Sequence, residues 1–374
     1  MEPLYVAKPL MPSLTDLHDL LKEVWDSGIV TNGGPLHCRL EDELAKFLGV
    51  PVAKLFCNGT VALQCALLCL ELPAGSEVIT TPLTFAATAH VITACGLKPV
   101  FADIDPVTLT LDPIAVECAI TENTRAVIAV HVYGTICDDA GLQSICNKHG
   151  LDLIYDGAHA FASNLCNKPV AAMGSMTMFS LHATKLFNTF EGGLITSNNS
   201  NDALRLQLSR NFGIADEETV RTVGLNGKMS ELNAAVGLLN LKSFEREREL
   251  RSNLRFAYDK ILDSLPGLTK QIRQVEVKQS EQYYALLVDP SIYGSSRDEI
   301  YNRLKAKQIF ARRYFWPICS DFDCYRGMKI HTVHDKPVVE QLKDRVLCLP
   351  FHSGVSSCHI AAIEATLRNL AQNG

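Results

Sequence analysis

The chain has no uncharged apolar run long enough to cross a bilayer; its longest candidates are broken by glycine, proline or charge. Its N-terminus, MEPLYVAKPL, lacks a basic segment followed by an apolar core, so no secretory leader is read there. Blocks of like charge are also missing. The 35 basic and 41 acidic residues leave a net charge of -6 spread along the chain, which removes the electrostatic case for nucleic acid or a membrane surface as main partner. Internal repeats and low-complexity segments are absent. The thirteen cysteines, an odd number, contain no CxxC pair, so neither a disulfide framework nor a zinc site is expected. Cys65, Cys69, Cys95, Cys118 and Cys348 lie inside apolar segments and read as small core hydrophobes. These absences together predict a soluble protein of a reducing, cytoplasmic compartment.

What is present is a chain of 374 residues, 47% hydrophobic, long enough for a large core divided into two lobes. From about residue 50 to 200, short apolar runs alternate with helical patterns: AKLFCNGT, SEVITTP, KPVFADID, RAVIAVHVYG and LDLIYDGAHA read as strands, with helices between them. Continuous apolar strands alternating with helices predict an α/β fold with a mostly parallel sheet covered on both faces. Residues 230–263 read as one long helix, and the remainder alternates strand and helix on a smaller scale. A large domain over 1–245 and a smaller C-terminal α/β lobe over 246–374 are expected.

In such sheets ligands gather at the carboxyl ends of strands. Asn58, Gly59 and Thr60 fall there, as do Thr84, Phe85 and Asp156. The turn CNGTVALQC offers free N–H groups at a helix start, which suits phosphate, though a Gly-Thr pair before a helix also reads as a plain N-cap. Asp156, after LDLIY, is either a turn residue or a buried carboxylate that pairs with a cationic ring nitrogen. Lys185 sits in FSLHATKLFNTFEGG among Phe179, Leu181 and Phe187. Read locally it is a snorkelling side chain whose stem covers apolar surface. Read chemically, it is a poorly hydrated amine able to lose its proton and attack a carbonyl. Phosphate cradle, strand-end aspartate and apolar-pocket lysine, in that order and with Lys185 following Asp156 by 29 residues, are the parts of a pyridoxal phosphate enzyme.

The run NGTVAL, GSEVITTPLTFAAT, PVFADIDPVTLTLD, YDGAHAFA, FSLHATKLFNTFEGG and GLNGKMSELNAAVG resembles the DegT/DnrJ/EryC1/StrS family of sugar aminotransferases. The resemblance runs from the N-terminus to about residue 260 and more loosely beyond. It implies a fold type I aminotransferase, pyridoxal 5'-phosphate as cofactor, and a homodimer with shared active sites. Carried over position by position, Lys185 is implied as the cofactor-linked base and Asp156 as partner of the pyridine nitrogen. Gly59, Thr60 and Ser180 become phosphate ligands and Phe85 the stacking aromatic. Asn226 is implied to reach the neighbouring subunit's cofactor. Two positions depart from the family pattern: His159 stands where glutamine is usual, and Gly227-Lys228 where an aromatic and arginine are common. His182 is expected to line the sugar pocket, with proton transfer or a spacer role as other readings. His90, His131, His149 and His331 read as structural.

The resemblance further implies L-glutamate as amino donor and a nucleotide-linked keto-sugar as acceptor. In place of the IHYP-like segment of C-3 enzymes, the chain reads ARRYFWPICSDFDCY. That favours amination at C-4 of dTDP-4-keto-6-deoxyglucose, giving dTDP-4-amino-4,6-dideoxyglucose for a lipopolysaccharide O-antigen or a glycosylated metabolite. Arg312, Arg313, Tyr314 and Trp316 are expected to contact the substrate's diphosphate or base, or else to form lobe core and solvated edge. A C-3 aminotransferase and a non-catalytic cofactor-binding regulator are the alternatives. Lys185 argues against the dehydratases of the same fold, which typically carry histidine there.

Overall fold

The computed structural model describes residues 2–371, so the first position of the expected large domain and the last three of the smaller lobe lie outside the described residues. Eight strands form the central sheet: β1 (Val52–Phe56), β2 (Glu77–Thr80), β3 (Lys98–Ala102), β4 (Thr124–Val130), β5 (Asp152–Asp156), β6 (Met176–Ser180), β7 (Gly193–Ser197) and β8 (Ile330–His331). Their order is β8-β3-β2-β4-β5-β6-β7-β1. Neighbours run parallel except β7, which is antiparallel to both β6 and β1 and places Gly193 opposite Ser180 and Phe56. The strands do not alternate apolar with polar: β4 reads TRAVIAV and is buried at every position but Arg125. That is what a strand covered on both faces requires.

The covering helices arise from the same sequence. On one face lie α1 (Leu14–Ser27), α2 (Pro35–Leu48) and, later in the chain, α5 (Glu231–Leu262); on the other lie α3 (Gly59–Cys69) and α4 (Ala86–Ala94). Helix α3 starts where Asn58 Oδ1 accepts the N–H of Val61 at 2.8 Å, an N-cap worth about 1 kcal/mol. Its buried residues Ala62, Cys65, Ala66 and Cys69 are small, which lets the helix approach the sheet closely. Cys65, Cys69 and Cys348 are core residues as expected. Cys95 is only part-buried, and Cys118 is exposed. In the short helix Pro113–Ala119, Ala115, Val116 and Ala119 make the buried stripe, so Glu117 and Cys118 turn to solvent.

The 32-residue α5 connects two cores. Phe244 packs in the core of the large sheet and Leu254 in the core around the smaller antiparallel sheet. The smaller lobe carries an antiparallel sheet of Leu268–Lys270, Tyr284–Val288 and Val346–Leu349. Two crossings tie the lobes together. Leu4–Tyr5 pairs in parallel with Ile309–Phe310, and β8 returns from the C-terminal part of the chain to the edge of the large sheet. Among the described residues no helix is long and apolar enough to cross a membrane.

Candidate active site

Strands β1, β2, β5 and β6 end at one edge of the sheet, and a cavity of about 350 Å³ opens there, closed from the other side by Tyr283, Arg312, Tyr314 and Phe315 of the smaller lobe. Its position is the one expected for ligands of open α/β sheets.

One wall is the start of α3, where Gly59 and Thr60 present backbone N–H groups that have no helical partner. A Cβ at Gly59 would stand 3.1 Å from Ser180 Cβ, so glycine there lets the helix start and the end of β6 approach closely without a shift of either. Gly193 is fixed by the same packing: a Cβ there would lie 2.3 Å from the Asn58 carbonyl oxygen. The second glycine of the Glu-Gly-Gly turn therefore serves the anion-binding turn across the sheet.

The floor is Asp156, which is 5% exposed. Its Oδ2 accepts from Thr88 Oγ1 at 2.8 Å and its Oδ1 from the N–H of Ala158 at 3.0 Å. Burial raises its pKa, against the pull of these two hydrogen bonds and of Lys185. A carboxylate in this state favours a cationic partner in the cavity.

Lys185 settles the choice left open by its apolar neighbours. It lines the cavity, with Nζ 5.6 Å from the Tyr283 ring centroid, instead of running out to solvent. The cavity leaves it half-buried by accessible surface, yet protein surrounds the amine closely enough that desolvation, opposed by Asp156, lowers its pKa to about 8. The backbone on either side is pinned by Gln282, whose Oε1 accepts from Leu186 N–H at 2.7 Å and whose Nε2 donates to the Thr184 carbonyl at 3.2 Å.

His159 is 3% exposed, and its Nδ1 accepts the N–H of Tyr133 at 3.3 Å, which leaves the proton on Nε2. Burial, Lys185 and His131 all hold it neutral. It stacks on Phe315 with ring centroids 5.5 Å apart and presents one uncharged donor, the role an amide would fill. Phe85 caps the start of α4 and is 59% exposed at the cavity wall. His182 also lines the wall, its Nε2 3.5 Å from Glu191 Oε1.

Of the four residues expected to meet the sugar nucleotide, Arg312 and Tyr314 line the cavity. Arg313 turns away to Asp298 at 3.1 Å and over Trp316, which is 43% exposed. Asn226 is exposed and outside the cavity of its own chain, although its neighbour Gly227 accepts the N–H of Cys57 at 2.7 Å beside the anion-binding turn. His131 is fully buried, stacked on Tyr155 at 4.6 Å. Sequence reasoning missed Thr88, Glu191, Gln282, Tyr283 and Phe315. Thr88, in the first turn of α4, stands four residues after Thr84, and Glu191 lies in the same FSLHATKLFNTFEGG run as Lys185; Gln282, Tyr283 and Phe315 come together with them only through the tertiary fold.

A helix start with free N–H groups, a buried acid, a neutral ring donor and an amine of lowered pKa around this cavity fit pyridoxal phosphate, the cofactor of such enzymes. The chain is 41% identical over 369 residues to the dTDP-4-amino-4,6-dideoxy-D-glucose transaminase of Shigella dysenteriae, with 99% of each chain covered. It is 39% identical over 353 residues to the protein of the same name from Escherichia coli, with 94% of each covered. The crystal structure of DesI, solved in the presence of its TDP-sugar product, superposes with a TM-score of 0.94 at 35% identity, covering 100% of this chain and 94% of that one. The sequence profile of one family matches residues 15–368, nearly all of the chain that builds both lobes and the cavity between them, and the protein belongs to it: the DegT/DnrJ/EryC1/StrS aminotransferase family.

Proposed function

We propose that the protein transfers the amino group of L-glutamate to C-4 of dTDP-4-keto-6-deoxyglucose, forming dTDP-4-amino-4,6-dideoxyglucose and 2-oxoglutarate. One observation carries this reading. Lys185, its pKa lowered to about 8, shares a cavity with buried Asp156 and the open start of α3. Likeness across the whole chain to transaminases named for that sugar supports the substrate.

Bound pyridoxal phosphate supplies the electron sink that lets the carbon bearing the amine lose and regain a proton. The chain's residues do the rest. Gly59 and Thr60 N–H groups and the Ser180 hydroxyl would hold the phosphate. Asp156, oriented by Thr88 and the Ala158 N–H, would keep the ring nitrogen cationic. His159 Nε2–H would be the donor for the ring's phenolic oxygen, and Phe85 would be the aromatic against the ring. Lys185 Nζ removes the α-proton of glutamate in one half-reaction and delivers a proton to sugar C-4 in the other. Arg312 and Tyr314 meet the substrate's diphosphate and base at the mouth, with Arg313 and Trp316 on the rim.

The working form is a homodimer in which Asn226 reaches the cofactor of the neighbouring subunit; its outward position and the exposed Val220 and Val223 on the same segment support this. Thirteen free cysteines support a cytoplasmic site of action. The test is incubation with dTDP-4-keto-6-deoxyglucose and glutamate, followed by NMR of the product. An amine at C-3, or reaction only with a 3-keto isomer, would overturn the C-4 assignment. Cofactor binding without release of 2-oxoglutarate would make the protein a regulator.

A further inference from the structure

We propose that His182 is a positioning residue for Lys185, its ring Nδ1 and its own carbonyl each accepting a backbone N–H from the two residues that end in the reactive amine. The inference rests on the proposed role of Lys185 as the proton-transferring amine.

The geometry is local. The N–H of Thr184 points at His182 Nδ1 at 3.2 Å, and the N–H of Lys185 donates to the His182 carbonyl at 2.8 Å. A backbone N–H cannot accept, so Nδ1 carries no proton and the ring's hydrogen is on Nε2. Thr184 Oγ1, 2.9 Å from the same nitrogen, then serves as a second donor to it. Nε2 in turn faces Glu191 Oε1 at 3.5 Å. Glu191 stands across a loop closed by Thr189 N–H to the Leu181 carbonyl at 2.9 Å and Leu181 N–H to the Gly192 carbonyl at 2.8 Å. Each nitrogen of the ring is thus engaged by the loop that carries Lys185.

A side-chain acceptor that takes the N–H two residues further on is the arrangement asparagine and aspartate make at turns. Histidine reproduces it because Nδ1 stands at the same remove from Cα as an asparagine Oδ1. With His182 on one side and Gln282 on the other, the backbone of residues 184–186 is bracketed, and so is the direction in which Lys185 leaves the chain. Proton transfer by Nζ is steep in position: a displacement of about 1 Å costs on the order of 100-fold in rate.

The test compares His182→Asn, His182→Gln and His182→Ala. Asparagine keeps the acceptor, glutamine moves it one bond outward, and alanine removes it. In the enzyme loaded with pyridoxal phosphate, the glutamate half-reaction of His182→Asn is expected within about threefold of wild type. The Ala and Gln variants are expected to lose roughly 10- to 100-fold in kcat with little change in KM. Independently of turnover, the Thr184 and Lys185 amides should exchange hydrogen faster in Ala and Gln than in Asn or wild type, with and without cofactor. If Asn is as slow as Ala while its amides stay protected, the ring itself acts in catalysis and the proposal is overturned. Equal amide exchange in all four proteins overturns it too, as does a KM effect with kcat unchanged. The amide readout needs no substrate, so a wild type that fails to use glutamate would count against the proposed reaction and leave the positioning result standing.

Discussion

Thr88 Oγ1 donates to Asp156 Oδ2 at 2.8 Å, and Thr84 Oγ1 lies 2.9 Å from Thr88 Oγ1, so a threonine in the first turn of α4 and one in the bend before it hold the acid beneath the cavity. A hydrogen bond to a charged group contributes about 1.5–3 kcal/mol. Thr88→Val should therefore weaken pyridoxal phosphate binding by roughly 10- to 100-fold, because burial then drives Asp156 further toward its neutral form. Thr88→Ser should restore most of the affinity. Absorbance titration of the stripped protein with cofactor measures both.

An amine attacks an aldehyde only in its free form, and the Lys185 pKa of about 8 places that form within reach of neutral pH for the proposed cofactor attachment. The lowered pKa means the proton is lost as pH rises. The rate of cofactor attachment should climb about tenfold per pH unit below about pH 8 and level off above it. Stopped-flow absorbance across that range reads the inflection; one near 10.5 would show the amine to be unperturbed. Lys185→Ala should show neither the visible band of the lysine-linked cofactor nor turnover.

The strand-end positions of Asn58, Gly59, Thr60, Thr84, Phe85 and Asp156 were legible because alternating strands and helices put the strand ends and their loops at one edge, whereas Ser180 came only from the family resemblance. Lys185 was not legible by itself: its apolar company suits a snorkelling stem as well as a catalytic amine, and only the distant Asp156 and the glycine turn decided. Gln282 and Phe315 left no local trace, since the smaller lobe brings them to the cavity from about a hundred residues or more further along. Arg313 shows the same limit from the other side. Its partner Asp298 lies in a different element, and no pattern in RRYFW separates the arginine facing the cavity from the one facing away.

Glu41 anchors a buried ionic cluster. Its carboxylate takes His37 Nε2 at 3.1 Å, Lys54 Nζ at 2.7 Å, the Leu55 N–H at 2.9 Å and Arg210 Nη1. Burial opposes ionisation, but the His37 hydrogen bond and the charges of Arg210, His37 and Lys54 together hold the carboxyl far below the usual range. A depressed carboxylate stabilises the fold above its unfolded pKa of about 4.3, and that contribution fades as pH falls below it. Glu41→Gln leaves Arg210 buried without its counter-charge and should cost about 3–5 kcal/mol at neutral pH. Denaturant unfolding of both proteins at about pH 7 and at about pH 3, well below the unfolded pKa, should show the gap narrowing in acid; a constant gap would mean that the charge does not matter.

Helix α2 begins at Gly34, which has no side chain to cap it, and the carboxylate of Glu231 from the start of α5 takes that place. Its two oxygens accept the N–H groups of Leu36 and His37, each at 2.8 Å. Glu231→Gln retains one acceptor and turns an amide toward the other N–H at the positive end of the helix, so a loss of about 1–3 kcal/mol is expected. Gly34 has an ordinary backbone, with φ of -68°, yet a Cβ there would stand 2.6 Å from Glu231 Cδ. Gly34→Ala should therefore destabilise by collision and not by backbone strain. In a Glu231→Ala background the collision partner is gone, and the same Gly34→Ala change should cost less than it does in the wild type. Unfolding midpoints of the four proteins measure that coupling, and simple additivity would refute the contact.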